Sequence, residues 1–215
     1  MRRLFPGRFF PGRIWRADPS AHTDERKKDT SMELQNIQKE GKQYRDQVYE
    51  LYHQAFPQIE RKPFALMEEL SAQGKMELLA VTENEEFLGL AVNMMHGDTA
   101  ILDYFAIAPE RRGGGVGSSS LALLLEKFRG RRYIFEIEKQ DDAADNAAER
   151  SRRKAFYLRN GLKETGLFVN VYGTDFELLT PDGELSYEAY TGILEAVLGK
   201  EGVGVLNPRL LSAQR

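Results

Sequence analysis

Cysteine is absent from this 215-residue sequence, and histidine is rare. Without cysteine the chain can form no disulfide scaffold and no thiolate zinc site, and it has no cysteine nucleophile. The three histidines, His22, His53 and His96, are too scattered for a histidine metal cluster, so we expect no metal. The longest unbroken apolar run covers residues 121–125. A spanning helix needs ~18 apolar residues, so we expect no membrane partner.

Charge is distributed unevenly along the chain, although the formal total is only −3. Residues 1–31 contain eight Lys/Arg and four Asp/Glu, so residues 32–215 carry −7. An acidic body is a poor binder of nucleic acid, because phosphate neutralisation needs clustered positive charge. The apolar content of 41% is enough for a buried core. We therefore expect a soluble globular protein of the cytoplasm that does not bind nucleic acid.

The first 31 residues have a different character from the rest. The unit Phe-Pro-Gly-Arg occurs at residues 5–8 and again at residues 10–13, and its Pro and Gly break any helical or strand period. No apolar stretch of ~7 residues is present, which argues against a secretory signal. We predict a flexible basic extension, either native or translated upstream of a natural start at Met32. The alternative is an Arg-rich arm that touches a membrane or nucleic acid.

From residue 41 onward, hydrophobic periodicity predicts an α/β (α+β) fold. The sheet is mixed, mostly antiparallel and six- to seven-stranded, with flanking helices. The predicted strands are 76–82, 87–95, 100–108, 133–138, 167–172 and 176–180, and the last helix ends at Leu198. A helix connects strands 100–108 and 133–138, which favours parallel pairing between them. We predict a single domain over residues 32–200 and a C-terminal tail over residues 201–215.

The glycine-rich turn after strand 100–108 is the most informative stretch. A strand that leads through glycines into a helix leaves several backbone N–H groups unpaired at the positive end of the helix dipole, where an anion can bind. Arg111 adds charge beside them. This predicts a diphosphate site formed by Arg112, Gly113, Gly114, Gly115, Val116, Gly117 and Ser118. The alternative is a flexible turn with two solvated arginines.

Two other nucleotide-binding patterns fit this turn less well. A P-loop needs a lysine before its Ser/Thr, and none lies between Gly113 and Ser120. The dinucleotide pattern places Gly115 and Gly117 correctly, with an acidic residue about 20 positions on, but has Ser120 instead of its third glycine. Three antiparallel strands before the turn also argue against a doubly wound parallel sheet. An NAD-dependent oxidoreductase is therefore the less favoured enzyme.

Two motifs together resemble one family. Residues 112–117, Arg-Gly-Gly-Gly-Val-Gly, match the Gln/Arg-x-x-Gly-x-Gly/Ala pyrophosphate signature of the GNAT N-acetyltransferases, and they follow an Ile-Ala-Pro strand end at 107–109. Residues 155–162 resemble the family's Phe-Tyr-x-x-x-Gly-Phe helix end, with Leu162 in place of the second Phe. The resemblance covers roughly residues 33–180.

The resemblance implies that acetyl-CoA is the cosubstrate. It implies that the strands ending near Ile107 and Glu138 splay apart and that acetyl-CoA lies in the opening between them. The backbone of Phe105, Ala106 and Ile107 would pair with the pantetheine arm. Family members often carry an Asn about eight residues before their catalytic Tyr. Here Asn146 lies eleven residues before Tyr157, so its contact with the CoA arm is the part of the comparison that fits least well.

Acyl transfer to a primary amine requires a neutral nucleophile, whereas an alkylamine with a pKa of ~10 is mostly protonated at neutral pH. Strand alternation places Asp103 on one face with Ile101 and Phe105, and it places Glu136 on a neighbouring apolar strand. Either carboxylate could take the proton, and the alternative is that both face solvent. The resemblance implies that Tyr157 protonates the departing sulfur.

These observations predict a cytoplasmic N-acetyltransferase in which a small-molecule or peptide amine attacks acetyl-CoA directly. The main alternative is a non-catalytic acyl-CoA-binding sensor module. The sequence does not identify the acceptor amine or choose between the two carboxylates as general base, and it leaves the oligomeric state open, with a homodimer as one possibility.

A basic cluster is expected to be mostly solvated, with one member available for the 3′-phosphate of CoA. Its members are Arg150, Arg152, Arg153, Lys154 and Arg159.

Overall fold

Eight strands form one sheet with helices on both faces in a computed structural model that describes residues 32–213. The strands are β1 (Met32–Asn36), β2 (Met76–Glu83), β3 (Glu86–His96), β4 (Thr99–Ile107), β5 (Arg132–Glu138), β6 (Lys163–Val171), β7 (Thr174–Thr180) and β8 (Arg209–Ala213). The helices are α1 (Arg45–Ala55), α2 (Phe64–Ala72), α3 (Val116–Lys127), α4 (Ala147–Arg159) and α5 (Tyr187–Leu206). The predicted basic extension, residues 1–31, lies outside the described residues.

The sheet has the strand order β1-β2-β3-β4-β5-β7-β6-β8. Six of its seven pairings are antiparallel, and β4 and β5 pair in parallel because α3 carries the chain back along the sheet between them. The predicted α/β fold with a mixed, mostly antiparallel sheet is confirmed. The six predicted strands are present, and the structure adds β1 and β8 at the two edges.

Local sequence signals explain where the helices begin and end. Helix α1 buries Val48 and Tyr52, four residues apart, against the sheet, and it ends one residue before Phe56 adopts an extended conformation ahead of Pro57. Helix α5 begins after Ser186, whose hydroxyl oxygen accepts a hydrogen bond from the third backbone N–H beyond it, at 3.1 Å. A proline and a capping serine thus set these two boundaries.

The C-terminal segment differs from the prediction. Residues 201–215 were expected to form a tail, but α5 continues past a kink at Gly199, with φ of +71°, as far as Leu206. Val203 and Leu206 pack against the core, and β8 then pairs with β6. The glycines at 199, 202 and 204 interrupt the helical period, so the sequence pattern did not reveal these contacts.

The sheet separates two hydrophobic clusters. The first lies beneath α1, α2 and α5, and its members include Tyr52, Leu90, Ile101, Ile134 and Tyr190. The second lies beneath α3, and α4 packs on it as well; its members include Leu102, Leu121, Leu124, Tyr133 and Phe135. Within residues 32–213, no helix combines the length and apolar character needed to cross a bilayer.

A glycine on β3 allows β4 to approach closely. A Cβ on Gly89 would lie 2.4 Å from the carbonyl oxygen of Ala106 and 3.1 Å from the Cα of Ile107. We expect Gly89→Ala to push the two strands apart and to lower the free energy of unfolding by about 2 kcal/mol, as overpacking does. Urea denaturation measures this change. Gly192→Ala on α5, where a Cβ meets nothing within 4 Å, is the control, and equal stability of the two variants would contradict the steric argument.

Candidate active site

β4 and β5 run side by side over four residue pairs and then separate. Residues 99–102 pair with residues 132–135. Beyond that point β4 stays with β3 as far as Ile107, and β5 stays with β7 as far as Glu138. We call residues 103–107 of β4 and 136–138 of β5 the strand split. Among the described residues, no strand pairs with β4 on the side of β5 beyond Leu102, along the stretch that contains Phe105, Ala106 and Ile107.

A β-bulge begins the strand split. Val92 pairs with Tyr104 and Asn93 pairs with Leu102, so Asp103 has no partner on β3. A bulge adds one residue to one strand and bends that strand, which separates β4 from β5 at this point. The prediction that Asp103 shares a face with Phe105 is wrong, because the extra residue shifts the alternation. Phe105 packs on the second cluster, opposite the face of Ile101.

The glycine turn (residues 112–118) lies directly beyond the end of β4. Gly113, Gly114 and Gly115 have φ values of +95°, +59° and +84°, which are favourable for glycine alone. Among residues 32–213, no acceptor is found for the backbone N–H groups of Gly113, Gly114, Gly115, Gly117 and Ser118. Val116, by contrast, donates to the Gly113 carbonyl at 3.3 Å. Unpaired amides at the start of α3 fit a bound diphosphate.

The two arginines before the glycines make contacts within the chain. Arg112 donates from Nε to the carbonyl oxygen of Ile107 at 3.1 Å, which ties the turn to the end of β4. Arg111 forms an exposed ion pair with Glu86 at 2.9 Å. The Ile107 carbonyl, predicted to pair with the pantetheine arm, thus already accepts a hydrogen bond.

Asp103 is held by a lysine from the connection between α1 and α2. Nζ of Lys62 lies 2.8 and 2.9 Å from the two carboxylate oxygens of Asp103, and the two side chains are only 16% and 9% exposed. The same Nζ lies 5.1 Å from the ring centroid of Tyr104. Asp103 therefore lies at the strand split as predicted, but its charge is already neutralised by an ion pair.

Glu136 occupies the first position of β5 after the pairing with β4 ends. Its carboxyl accepts a hydrogen bond from the hydroxyl of Tyr190 on α5 at 2.6 Å. Burial raises the pKa of Glu136, and the negative charge of Asp103 raises it further, whereas the Tyr190 hydroxyl opposes the shift. The two predicted acids thus lie together across the strand split, each with a partner that sequence reasoning did not identify.

Tyr157 lies on α4 against the second cluster. Its ring centroid is 5.5 Å from that of Phe135, the last residue of β5 that pairs with β4. Burial raises the pKa of Tyr157, although the positive charge of Arg153 acts in the opposite direction. The hydroxyl is therefore protonated at neutral pH and can donate a proton next to the strand split.

Three side chains of the α4 region converge on Glu138 at the end of β5. Arg150 and Arg153 lie 3.1 and 3.0 Å from its carboxylate, which is 3% exposed. Asn146 donates to both carboxylate oxygens at 3.3 Å and accepts from Arg150 at 2.7 Å. The amide of Asn146 is thus used inside the chain, and its predicted contact with CoA stays a prediction.

The basic cluster of α4 is only partly the solvated surface that the sequence predicted, because Arg152 and Arg159 are exposed and the other three members form ion pairs. Besides the two arginines on Glu138, Lys154 bonds both carboxylate oxygens of the buried Glu177 at 2.9 Å and pairs with Glu164. Arg159 lies over the ring of Phe156 at 5.2 Å. Arg150, Arg153 and Lys154 therefore fix the helix to the sheet.

Sequence reasoning did not identify Glu60, which lies in the connection between α1 and α2. Its backbone carbonyl accepts a hydrogen bond from the Tyr104 hydroxyl at 2.7 Å. Burial raises the pKa of Glu60 to about 7, and the negative charge of Glu138 contributes. No motif or period marks this residue, because it comes to the strand split only through the fold.

Two alternatives can be compared with this geometry. A dinucleotide-binding site at the glycine turn would belong to a doubly wound parallel sheet, whereas only β4 and β5 are parallel among the strands described. Residues 32–213 also contain no group of three or more His, Asp or Glu side chains arranged to hold a metal ion.

Comparisons with known proteins agree with the fold. Residues 45–157 match the model of the acetyltransferase (GNAT) family. A search of curated proteins finds none that matches. A solved structure assigned to the GNAT family, from Bacteroides thetaiotaomicron, is 24% identical with a TM-score of 0.62, covering 78% of this chain and 98% of its own.

Two solved aminoglycoside 6′-N-acetyltransferases share the same fold. One, complexed with coenzyme A, is 17% identical with a TM-score of 0.54 and covers 69% of this chain and 96% of its own. The other, from Enterococcus faecium, is 16% identical with a TM-score of 0.51, at the same coverages of 69% and 96%.

Proposed function

This chain belongs to the acetyltransferase (GNAT) family, and on that premise we propose that it transfers the acetyl group of acetyl-CoA to a primary amine by direct attack. One observation carries the proposal: unpaired backbone amides of the glycine turn lie at the end of β4, directly beside the strand split. A diphosphate anchored there would extend its thiol arm along a free strand edge. The acceptor is a small molecule or a peptide.

The residues present fit acetyl-CoA. The amides of the glycine turn and the helix dipole of α3 would hold the pyrophosphate, with Ser118 in the first turn. The unpartnered edge of β4 at Phe105 and Ala106 would hydrogen-bond the pantetheine arm. Acetyl-CoA supplies an acetyl group activated as a thioester. The chain supplies position, donors and proton transfer.

Three groups at the strand split would carry the chemistry. A backbone N–H of β4 beyond Asp103 would donate to the thioester oxygen as negative charge develops there, an effect worth ~10²-fold in related cases. Tyr157 would give its proton to the departing sulfur. A carboxylate must remove the proton of the acceptor ammonium, and Asp103 and Glu136 are the two candidates that the sequence predicted.

The test is a panel of amines with acetyl-CoA, in which release of free CoA is measured. Spermidine, lysine, kanamycin and a peptide with a free amino terminus represent the acceptor classes. We expect turnover with at least one of them and, by calorimetry, binding of CoA that NAD does not compete away. Binding of CoA without turnover would favour the acyl-CoA-binding sensor, and binding of NAD instead of CoA would favour an oxidoreductase.

The conformation of Gly115 gives a prediction for cofactor binding. Its φ is +84°, so Gly115→Ala strains the backbone by ~1–2 kcal/mol and distorts the turn, although its Cβ would meet nothing within 4 Å. We expect KM for acetyl-CoA to rise about tenfold, which corresponds to ~1.4 kcal/mol of lost binding. The control is Gly130→Ala, at a φ of +82° in the turn after α3, which imposes the same kind of strain outside the glycine turn. Equal KM values for both variants would contradict the assignment.

A further inference from the structure

We propose that Glu60 is the residue that takes the proton from the acceptor amine. This proposal rests on the proposed function and assigns its general base. It replaces the two strand carboxylates predicted from sequence with a third one, supplied by the connection between α1 and α2. Four observations support it. They are the hydrogen bonds that anchor this connection, the charges that act on the Glu60 carboxylate, the partners of the competing acids and the raised pKa of Glu60.

The connection between α1 and α2 is fixed to β4 at the bulge. The hydroxyl of Tyr104 donates to the carbonyl oxygen of Glu60 at 2.7 Å and accepts from the backbone N–H of Lys62 at 3.2 Å. The hydroxyl of Tyr52 on α1 donates to the carbonyl oxygen of Lys62 at 3.0 Å. Because Tyr104 directly follows Asp103, these bonds hold Glu60 beside the first residue of the strand split.

Charged groups from the other side of the strand split act on the Glu60 carboxylate. The charges that act on it are Glu138 at the end of β5 and Arg153 on α4, whereas its backbone is bound to Tyr104 on β4. Arg153 also acts on Tyr157, the proposed acid. Glu60 and Tyr157 are thus both within the electrostatic influence of Arg153.

Each competing carboxylate has at least one partner, although only one oxygen of Glu136 is used. Both oxygens of Asp103 bind Lys62, Glu136 accepts from Tyr190, and Glu138 is held by two arginines. In the part of the chain that the structure describes, the Glu60 carboxylate makes no hydrogen bond and no ion pair. It is only partly buried, so an incoming ammonium can reach it. Among the described acids at the strand split, Glu60 is the one whose carboxylate has neither a hydrogen-bond partner nor an ion-pair partner.

The environment of Glu60 suits a base at neutral pH. Partial burial and the negative charge of Glu138 both favour the protonated acid, and the positive charge of Arg153 opposes them, which leaves its pKa at about 7. A catalytic base works best when its pKa lies near the operating pH. Both carboxylate oxygens of Asp103, by contrast, are already bound by Lys62.

The reaction balances with Glu60 in this role. One proton passes from the acceptor ammonium to Glu60, and the neutral nitrogen then forms a bond to the thioester carbonyl carbon. The carbon–sulfur bond breaks, and sulfur takes the proton of Tyr157. The second proton lost by the nitrogen restores the Tyr157 hydroxyl, and Glu60 releases its proton to water. No oxidant, metal or covalent enzyme intermediate is required.

The test compares Glu60→Gln with the wild type, using acetyl-CoA and the most active amine of the panel. We expect kcat/KM for the amine to fall about 100-fold at pH 7.5. The inflection near pH 7 in the pH profile of kcat/KM should also disappear. The Kd for acetyl-CoA should stay unchanged. Glu195→Gln, at an exposed position of α5, is the matched control and should retain both rate and inflection.

A stability measurement separates catalysis from misfolding. The pKa of Glu60 is raised in the folded protein, so its favourable contribution is complete below about pH 4.5 and is lost as pH rises through about 7. Glutamine does not titrate, so Glu60→Gln does not lose this contribution as pH rises. The free energy of unfolding of Glu60→Gln should therefore increase relative to that of the wild type between those pH values, as measured by urea denaturation. A folded variant that has lost its rate supports the proposal.

Other outcomes overturn the proposal. If Glu60→Gln keeps the rate and the inflection while Asp103→Asn or Glu136→Gln abolishes them, a strand carboxylate is the base. If Glu60→Gln is less stable than the wild type at every pH, the role of Glu60 is structural. A wild type that binds CoA but acetylates no amine in the panel contradicts the proposed function itself, and this result is distinguishable from both.

Discussion

Replacing Tyr157 by phenylalanine should lower kcat about 100-fold and leave the Kd for acetyl-CoA within twofold of the wild type. The ring already packs against Phe135 at 5.5 Å, and phenylalanine keeps that packing. What disappears is a hydroxyl whose pKa is raised by burial and which therefore retains a proton to donate. Steady-state kinetics together with calorimetry of CoA binding measure the two effects separately.

Tyr187→Phe is the control for this substitution. Within residues 32–213, the Tyr187 hydroxyl at the start of α5 has no hydrogen bond to Asp103, Glu136 or Tyr157, and it donates to the Pro208 carbonyl at 2.8 Å. Loss of this hydrogen bond should lower the free energy of unfolding by ~1 kcal/mol and leave kcat unchanged. Unchanged kcat in Tyr157→Phe would remove the proposed acid. A joint loss of kcat and CoA affinity would indicate that the hydroxyl positions the cosubstrate.

Lys62→Met should be the most destabilising of the substitutions considered. It leaves Asp103, 9% exposed, without its counter-ion, and removing one partner of a buried pair costs about 3 kcal/mol. Urea denaturation at pH 7 measures the free energy of unfolding. The double variant Lys62→Met/Asp103→Leu should recover most of the loss, because no isolated charge then remains buried.

An exposed pair on the same side of the sheet provides the control. Arg45 binds Glu68 through two nitrogens at 2.7 and 3.0 Å and lies over Phe64, much as Lys62 lies over Tyr104. Its side chain is 45% exposed, so Arg45→Met should cost less than ~1 kcal/mol. Similar costs for both variants, or no recovery in the double variant, would contradict the burial argument.

The fold could be predicted because its signals are local. Alternation placed the strands from β2 to β7, and the glycine run identified the turn before α3. The bulge at Asp103 was not predicted, since one extra residue on β4 changes the alternation without leaving a compositional mark. For the same reason the face occupied by Phe105 was predicted wrongly.

The candidate site was predicted only in part. Asp103 and Glu136 lie at the strand split, and Tyr157 packs against Phe135 next to it, because each lies on an element that the sequence defines. Their partners come from far along the chain: Lys62 is 41 residues before Asp103, and Tyr190 is 54 residues after Glu136. Ion pairs and hydrogen bonds at such separations depend on tertiary packing and have no period to detect.

Asp103 is the one residue of β4 that has no pairing partner on β3. If position 103 is skipped, Leu102 and Tyr104 become consecutive partners of Asn93 and Val92, and the strand alternates without interruption. Deleting Asp103 and substituting it are therefore different experiments. A substitution changes a carboxylate within an open cleft, whereas a deletion leaves a regular strand that is free to continue its ladder with β5 and close the cleft. Only the first of these reports on chemistry.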